Sequence, residues 1–154
     1  MDGSRNGVMI FIGIVFLLFM LVVAVSVCEF LAGCLKAIPP GFRKMPPGQV
    51  WLLLIPVFHI VWAMVAYPKI ADSFKAYLEA EGCAGVEDCG RTTAVLFACG
   101  GAISFMLAIL TYILPAGFLF AVLNLPLSLA VLGLWIYVLV KFAGLRKLVV
   151  SRGR

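Results

Sequence analysis

The sequence predicts an all-α integral membrane protein, a four-helix bundle whose second helix carries an amphipathic extension. Val8 to Cys28 runs without a charged residue, Trp51 to Tyr67 does the same with one His in it, and Ala94 to Val140 carries no formal charge. The 154-residue chain is 64% hydrophobic and 12% charged, and its charges fall between those runs; a soluble domain is about half apolar and about a quarter charged. A hydrocarbon core of ~30 Å takes about 20 apolar residues in a helix rising ~1.5 Å each. The first two runs therefore suit one crossing each, and the third suits two. Hydrophobicity that is continuous rather than alternating argues against barrel strands, and helices satisfy their own backbone polar groups, as lipid requires.

Helices are expected over 8–35, 49–67, 93–114 and 117–142, with an extension over 69–81 and a basic tail over 143–154, all within one membrane domain. The first is a long anchor. Its Leu31-Ala32-Gly33-Cys34 matches the small-residue pattern of a lipoprotein cleavage site, but a 21-residue apolar run exceeds the usual 7–15 of a cleaved signal, and an uncleaved anchor is the reading taken. Residues 36–48, with Pro39-Pro40-Gly41 and Pro46-Pro47-Gly48 around Arg43-Lys44, resist helix and favour extended geometry. They make a stiff strap whose Phe42 and Met45 are placed to enter the headgroup layer.

The second helix opens on Trp51, at interface depth, and Pro56 within it predicts a kink. Beyond Tyr67-Pro68, Ile70, Phe74, Tyr77 and Leu78 recur at helical spacing, with Lys75 and Glu79 four apart on the polar side. The third helix offers the small residues Ala98, Gly101 and Ala102 for close helix packing. Pro115-Ala116-Gly117 is the turn signal that divides the long run into a hairpin. In the fourth helix Asn124, Pro126 and Ser128 form its most polar spot.

Basic residues near helix ends mark the cytoplasmic side. With four crossings, Arg5, the second loop (Lys69, Lys75, Arg91) and the tail (Lys141, Arg146, Lys147, Arg152, Arg154) share a side, against Lys36, Arg43 and Lys44 on the other. Both termini are therefore expected in the cytoplasm. Cys83 and Cys89 are spaced for a possible disulfide, which would place their loop in an oxidising compartment instead; two free thiols are the other reading. Cys28, Cys34 and Cys99 read as small apolar packers. Arg43, Lys44, Arg146, Lys147 and Arg152 are the expected contacts to anionic lipid headgroups. The net charge of +5 gathers in the tail, which explains it without a nucleic-acid partner.

Ionisable groups inside lipid are functional suspects by default. Glu29 and His59 are the two here, and with Asn124 they make a possible intramembrane polar site. An interfacial Glu29 and a neutral His59 hydrogen-bonded to Asn124 or Ser104 are the structural alternatives. No CxxC occurs, one His is too few for a His-rich metal or haem site, and no Ser-His-Asp set is plausibly placed. The expectation is a protein that is not an enzyme and has no metal or cofactor. The leading reading is a packing or accessory component of a homo- or hetero-oligomeric membrane assembly; the alternative is a small transporter or channel subunit.

The block from Pro47 through Trp62, PGQVWLLLIPVFHIVW, followed by Lys69-Ile70-Ala71-Asp72-Ser73-Phe74, resembles a recurring segment of small uncharacterised bacterial multi-span membrane proteins. The resemblance implies an inner-membrane protein of several helices and carries no assigned activity. That family often has Asn where this chain has His59, an amide that hydrogen-bonds but does not titrate.

Overall fold

The computed structural model describes residues 2–83, 88–113 and 117–152, and the regular structure in them is entirely helical. α1 spans Asp2–Ala37, α2 Pro56–Ala80, α3 Arg91–Ile113 and α4 Gly117–Arg152. Between α1 and α2 lie two 3-10 segments, Pro40–Phe42 and Pro47–Leu54. Among the described residues, α1, α3 and α4 are long and apolar enough to cross a membrane. α1 and α4 each hold 36 residues, about 54 Å of helix at ~1.5 Å per residue, so both outrun a ~30 Å hydrocarbon core. The Pro115 turn falls outside the described residues.

The second helix departs from expectation, and prolines are the reason. Residues 49–54 are 3-10 rather than α-helical. Pro56 does not kink a helix already under way; it sits in the first turn of α2, where its missing N–H costs nothing. The clash of its ring with the preceding residue keeps Ile55 extended, at φ −79° and ψ 112°. α2 then runs unbroken through Pro68 and absorbs the amphipathic extension. Ile70, Phe74, Tyr77 and Leu78 are buried, and Lys75 Nζ meets Glu79 Oε1 at 3.7 Å on the outer face. The basic tail is likewise helical, continuing α4 as far as Arg152.

The proline strap folds back along α2. Phe42 packs edge-on against Tyr77 with ring centroids 5.7 Å apart. The Lys44 N–H donates to Ser73 Oγ (2.8 Å), Trp62 Nε1 donates to the Gln49 carbonyl (2.8 Å), and His59 Nδ1 lies 2.8 Å from the Leu53 carbonyl. These pairs close from 35 residues apart to six along the sequence, the register of an antiparallel hairpin. On its other side the strap packs against α1, where the Cys28 thiol faces the Val50 carbonyl at 3.8 Å. The chain thus enters from the end of α1 and returns to that same end at Ala80.

Buried side chains gather at that end: Leu31, Cys34 and Leu35 of α1, Val50 of the strap, Ile70 and Phe74 of α2, Ala94 of α3, Phe142 and Val149 of α4. Phe74 and Phe142 lie 5.9 Å apart, and Asp72 pairs with Arg91 at 3.1 Å. Asp88 caps α3 by accepting from the Thr92 N–H (2.8 Å) and the Gly90 N–H (2.9 Å). Those bonds, Thr92's foremost, hold its carboxyl down to about 2. The stabilisation this cap lends is therefore complete above the ordinary carboxylate range and is lost only as pH falls through about 2. The opposite end is a tier of exposed apolar side chains: Val8–Val22 of α1, Ile103–Ile113 of α3, Phe118–Leu132 of α4.

In that tier α3 and α4 pack closely at Gly100, where an added Cβ would come within 2.9 Å of Val131 Cγ2. The small residue that lets the helices approach is therefore Gly100; at Gly101 a Cβ would meet nothing within 4 Å. Ala98 is buried inside the chain and Ala102 half-buried. Gly100→Leu is expected to destabilise the hairpin by about 1–3 kcal/mol and to lower the thermal unfolding midpoint in detergent, whereas Gly101→Ala leaves it unchanged or higher. Equal midpoints for Gly100→Leu and the parent would disprove the close approach.

Candidate functional site

Glu29, His59 and Asn124 do not converge. Glu29 lies on an exposed face of α1 and makes no ion pair among the described residues. His59 spends Nδ1 on the Leu53 carbonyl, not on Asn124 or Ser104. A carbonyl only accepts, so Nδ1 carries the proton in this bond. The bond closes the turn between strap and α2, next to a proline that donates nothing. Asn124 instead belongs to the α3–α4 seam. Ser104 Oγ donates to its Oδ1 at 2.7 Å, and Ser128 Oγ donates to its backbone carbonyl at 2.8 Å.

A cavity of about 610 Å³ opens among the four helices at the level of the apolar tier. Its wall is apolar (Val23, Val27, Phe97, Phe105, Leu132) with His59, Ser104, Ser128 and Tyr67 set into it. Tyr67 is 2% exposed; its hydroxyl accepts from Trp135 Nε1 at 3.1 Å, and its ring meets Phe97 edge-on at 5.0 Å. This Tyr–Trp pair, which ties α2 to α4, went unread in the sequence. The available signal was two amphipathic aromatics inside apolar runs, whose polar tips need partners once buried. Chemically the cavity suits an apolar guest with a hydrogen-bonding group. Among the described residues no group of three His, Cys, Asp or Glu could hold a metal ion.

The basic residues divide. Arg43 turns inward: its Nε donates to the Ile38 carbonyl (2.7 Å) and its Nη2 to the Lys36 carbonyl (3.2 Å), capping the C-terminal end of α1 rather than reaching for headgroups. Met45 and Phe42, expected to dip into the headgroup layer, pack inward, Met45 fully buried and Phe42 on Tyr77. Lys44, Arg146 and Lys147 are exposed. Arg152 Nη1 lies 2.9 Å from Cys83 Sγ. Cys83 and Cys89 are free thiols rather than a disulfide. Cys89 is buried, which pushes its thiol above the ordinary range. Cys28 and Cys34 are buried packers, Cys34 within the unbroken α1.

No protein-family model, curated protein or solved structure matches the chain.

His59→Leu removes the donor to Leu53 and is expected to cost about 1–3 kcal/mol, the penalty of an unpaired buried carbonyl. His59→Asn keeps an N–H at nearly the same reach and is expected to retain most of the stability. Thermal unfolding of both variants in one detergent decides it; a His59→Asn protein as unstable as His59→Leu would remove the clasp role.

Proposed function

We propose that the chain is a non-enzymatic component of a bacterial inner-membrane assembly, crossing the bilayer three times with a re-entrant hairpin between the first and second crossings. The bacterial inner membrane rests on the sequence resemblance of residues 47–74; the three crossings rest on α1, α3 and α4. The strap and the first half of α2 form the re-entrant element. The charge-free part of α2 ahead of Lys69, Pro56 to Tyr67, is 12 residues, about 18 Å, too short to cross. Its outward side chains Ile55, Phe58, Val61 and Met64 are apolar and exposed, as a lipid-embedded tip requires.

Three crossings place the first and last residues on opposite sides, in place of the shared cytoplasmic side that four would give. Every Lys and Arg of the described residues except Arg5 then falls at the packed end. Arg43 and Lys44, which the four-crossing arrangement stranded outside, join the rest. The positive-inside bias makes that end cytoplasmic. In a protein cleared of its own cysteines, Ser4→Cys is expected to react with a membrane-impermeant maleimide only from the periplasmic side, and a cysteine restored at position 83 only from the cytoplasmic side. Labelling of both from one side would restore four crossings.

Assembly is supported by α1. From Val8 to Val22 its large side chains are exposed on successive positions all round the helix, Met9 at 68% and Leu17 at 69%, so no other helix among the described residues covers it. In lipid such a helix associates through van der Waals packing with a partner helix. The polar groups of the tier are meanwhile engaged in holding the chain's own helices. Single cysteines at positions 14–18 are expected to give oxidative cross-links, to a second copy or to a partner, that peak on one helical face. No cross-link at any of the five, with a monomeric mass in mild detergent, would end the assembly reading. The cavity lined by His59 and Ser128 is the observation behind a second reading, a small transporter or channel subunit, which a liposome flux assay separates from the first.

A further inference from the structure

We infer that the seam between α1 and α4 binds one anionic phospholipid, with the phosphate at Arg146 and Lys147 and an acyl chain in the trough below them. The seam holds two cavities that adjoin at Phe30 and Ala143, which border both. The upper, about 520 Å³, is bordered by Arg146, Lys147 and Ser151. The lower, about 410 Å³, is bordered by Val22, Val27, Leu139 and Val140. Its one hydroxyl, Ser26, donates to the Val22 carbonyl of its own helix at 2.8 Å, so the trough offers apolar surface alone.

Arg146 is positioned rather than merely exposed. Its guanidinium lies over Gly33, where an added Cβ would sit 3.3 Å from Nη1; the missing side chain lets it rest against α1. Neither Arg146 nor Lys147 meets a carboxylate or a backbone carbonyl among the described residues, Glu29 included. Two cations with no ion pair among the described residues, at the top of an apolar trough, match the charge and shape of a phosphate ester carrying an acyl chain. The depth agrees. Phe30 follows the 21-residue run from Val8 to Cys28, which spans a hydrocarbon core at ~1.5 Å per residue. Arg146 therefore lies at headgroup level and the trough beneath it among acyl chains. A zwitterionic headgroup would bring its own cation to the same two residues, which is why charge selects the anionic lipid.

The inference rests on the membrane placement proposed above, which the maleimide labelling reads independently. The test is native mass spectrometry of the detergent-purified full chain, titrated with phosphatidylglycerol or phosphatidylcholine of identical acyl chains. One phosphatidylglycerol is expected to bind at least about tenfold tighter than phosphatidylcholine. Arg146→Gln with Lys147→Gln is expected to weaken it roughly thirtyfold, the weight of two juxtamembrane basic groups. Val140→Trp, which fills the trough and leaves both charges, is expected to weaken it as well, and millimolar inorganic phosphate is expected not to displace the lipid. Equal affinity for the two lipids would overturn the proposal, as would an unaffected double variant. Displacement by inorganic phosphate, with Val140→Trp binding normally, would reduce the site to a surface anion contact and reject the groove. Any of these results alongside the expected labelling pattern would reject the groove without touching the topology.

Discussion

Backbone polar groups placed in lipid must find partners within the protein, because no water is present to take them. On the proposed placement the strap over residues 39–55 meets this constraint under the hardest conditions in the chain, since its prolines rule out the regular helix that would satisfy it automatically. The solution is a set of local closures: 3-10 bonds such as Gln49 N–H to the Pro46 carbonyl and Ile55 N–H to the Leu52 carbonyl, with side chains from α2 covering what remains. Trp62 takes Gln49, His59 takes Leu53 and Ser73 takes the Lys44 N–H. Each acts from a position on α2 that only an antiparallel return can supply. The clasp and the hairpin therefore require one another, and the hairpin sets the parity of every later helix.

Parity is also what reconciles the charges. A membrane-length apolar stretch between two basic loops normally separates their sides. Under the proposed three crossings the stretch dips and returns, so Lys36, Arg43 and Lys44 stay with Lys75, Arg91 and the α4 end. Lys141, whose side chain would touch a Cβ at Gly90 at 3.2 Å, marks the same level as the start of α3. Arg43 then has a structural use as the cap of α1, and its charge lies beside the C-terminal end of a helix, where the macrodipole favours a cation.

The three long helices were legible because nothing in Val8–Cys28 or Ala94–Val140 competes with the apolar signal. The hairpin of strap and α2 was not, because hydropathy measures whether residues tolerate lipid and not whether they cross it. Trp51–Tyr67 tolerates lipid along its whole length, and its tip is exposed accordingly. The signal that distinguishes it is the spacing of its prolines. Pro47 and Pro56 leave Pro56–Tyr67 as the only α-helical part of the run before Pro68, about three-fifths of a crossing. The polar residues stand out in the sequence, but their partners do not. His59 and Arg43 bond to backbone carbonyls, and any carbonyl in the chain is an equal candidate until the topology is known. The same holds for the small residues of α3: spacing identifies the stripe of Ala98, Gly101 and Ala102, while the helix rotation that brings Gly100 against Val131 is a tertiary fact.

The two tiers are held by different forces. At the packed end water drives the burial of Phe74, Phe142, Ile70 and Leu35. In the apolar tier burial against another helix gains little over burial against acyl chains, so cohesion falls to close packing and buried hydrogen bonds. Those are found between α3 and α4, at Gly100 and at Ser104–Asn124, and between α2 and α4, at Tyr67–Trp135. None of them reaches the first half of α1, and the strap meets α1 in its second half, at Cys28. α1 is therefore anchored at one end and free along the rest of its length. A helix held in that way costs little reorganisation to engage a partner in the bilayer, and the seam it leaves against α4 stays open to lipid from the side.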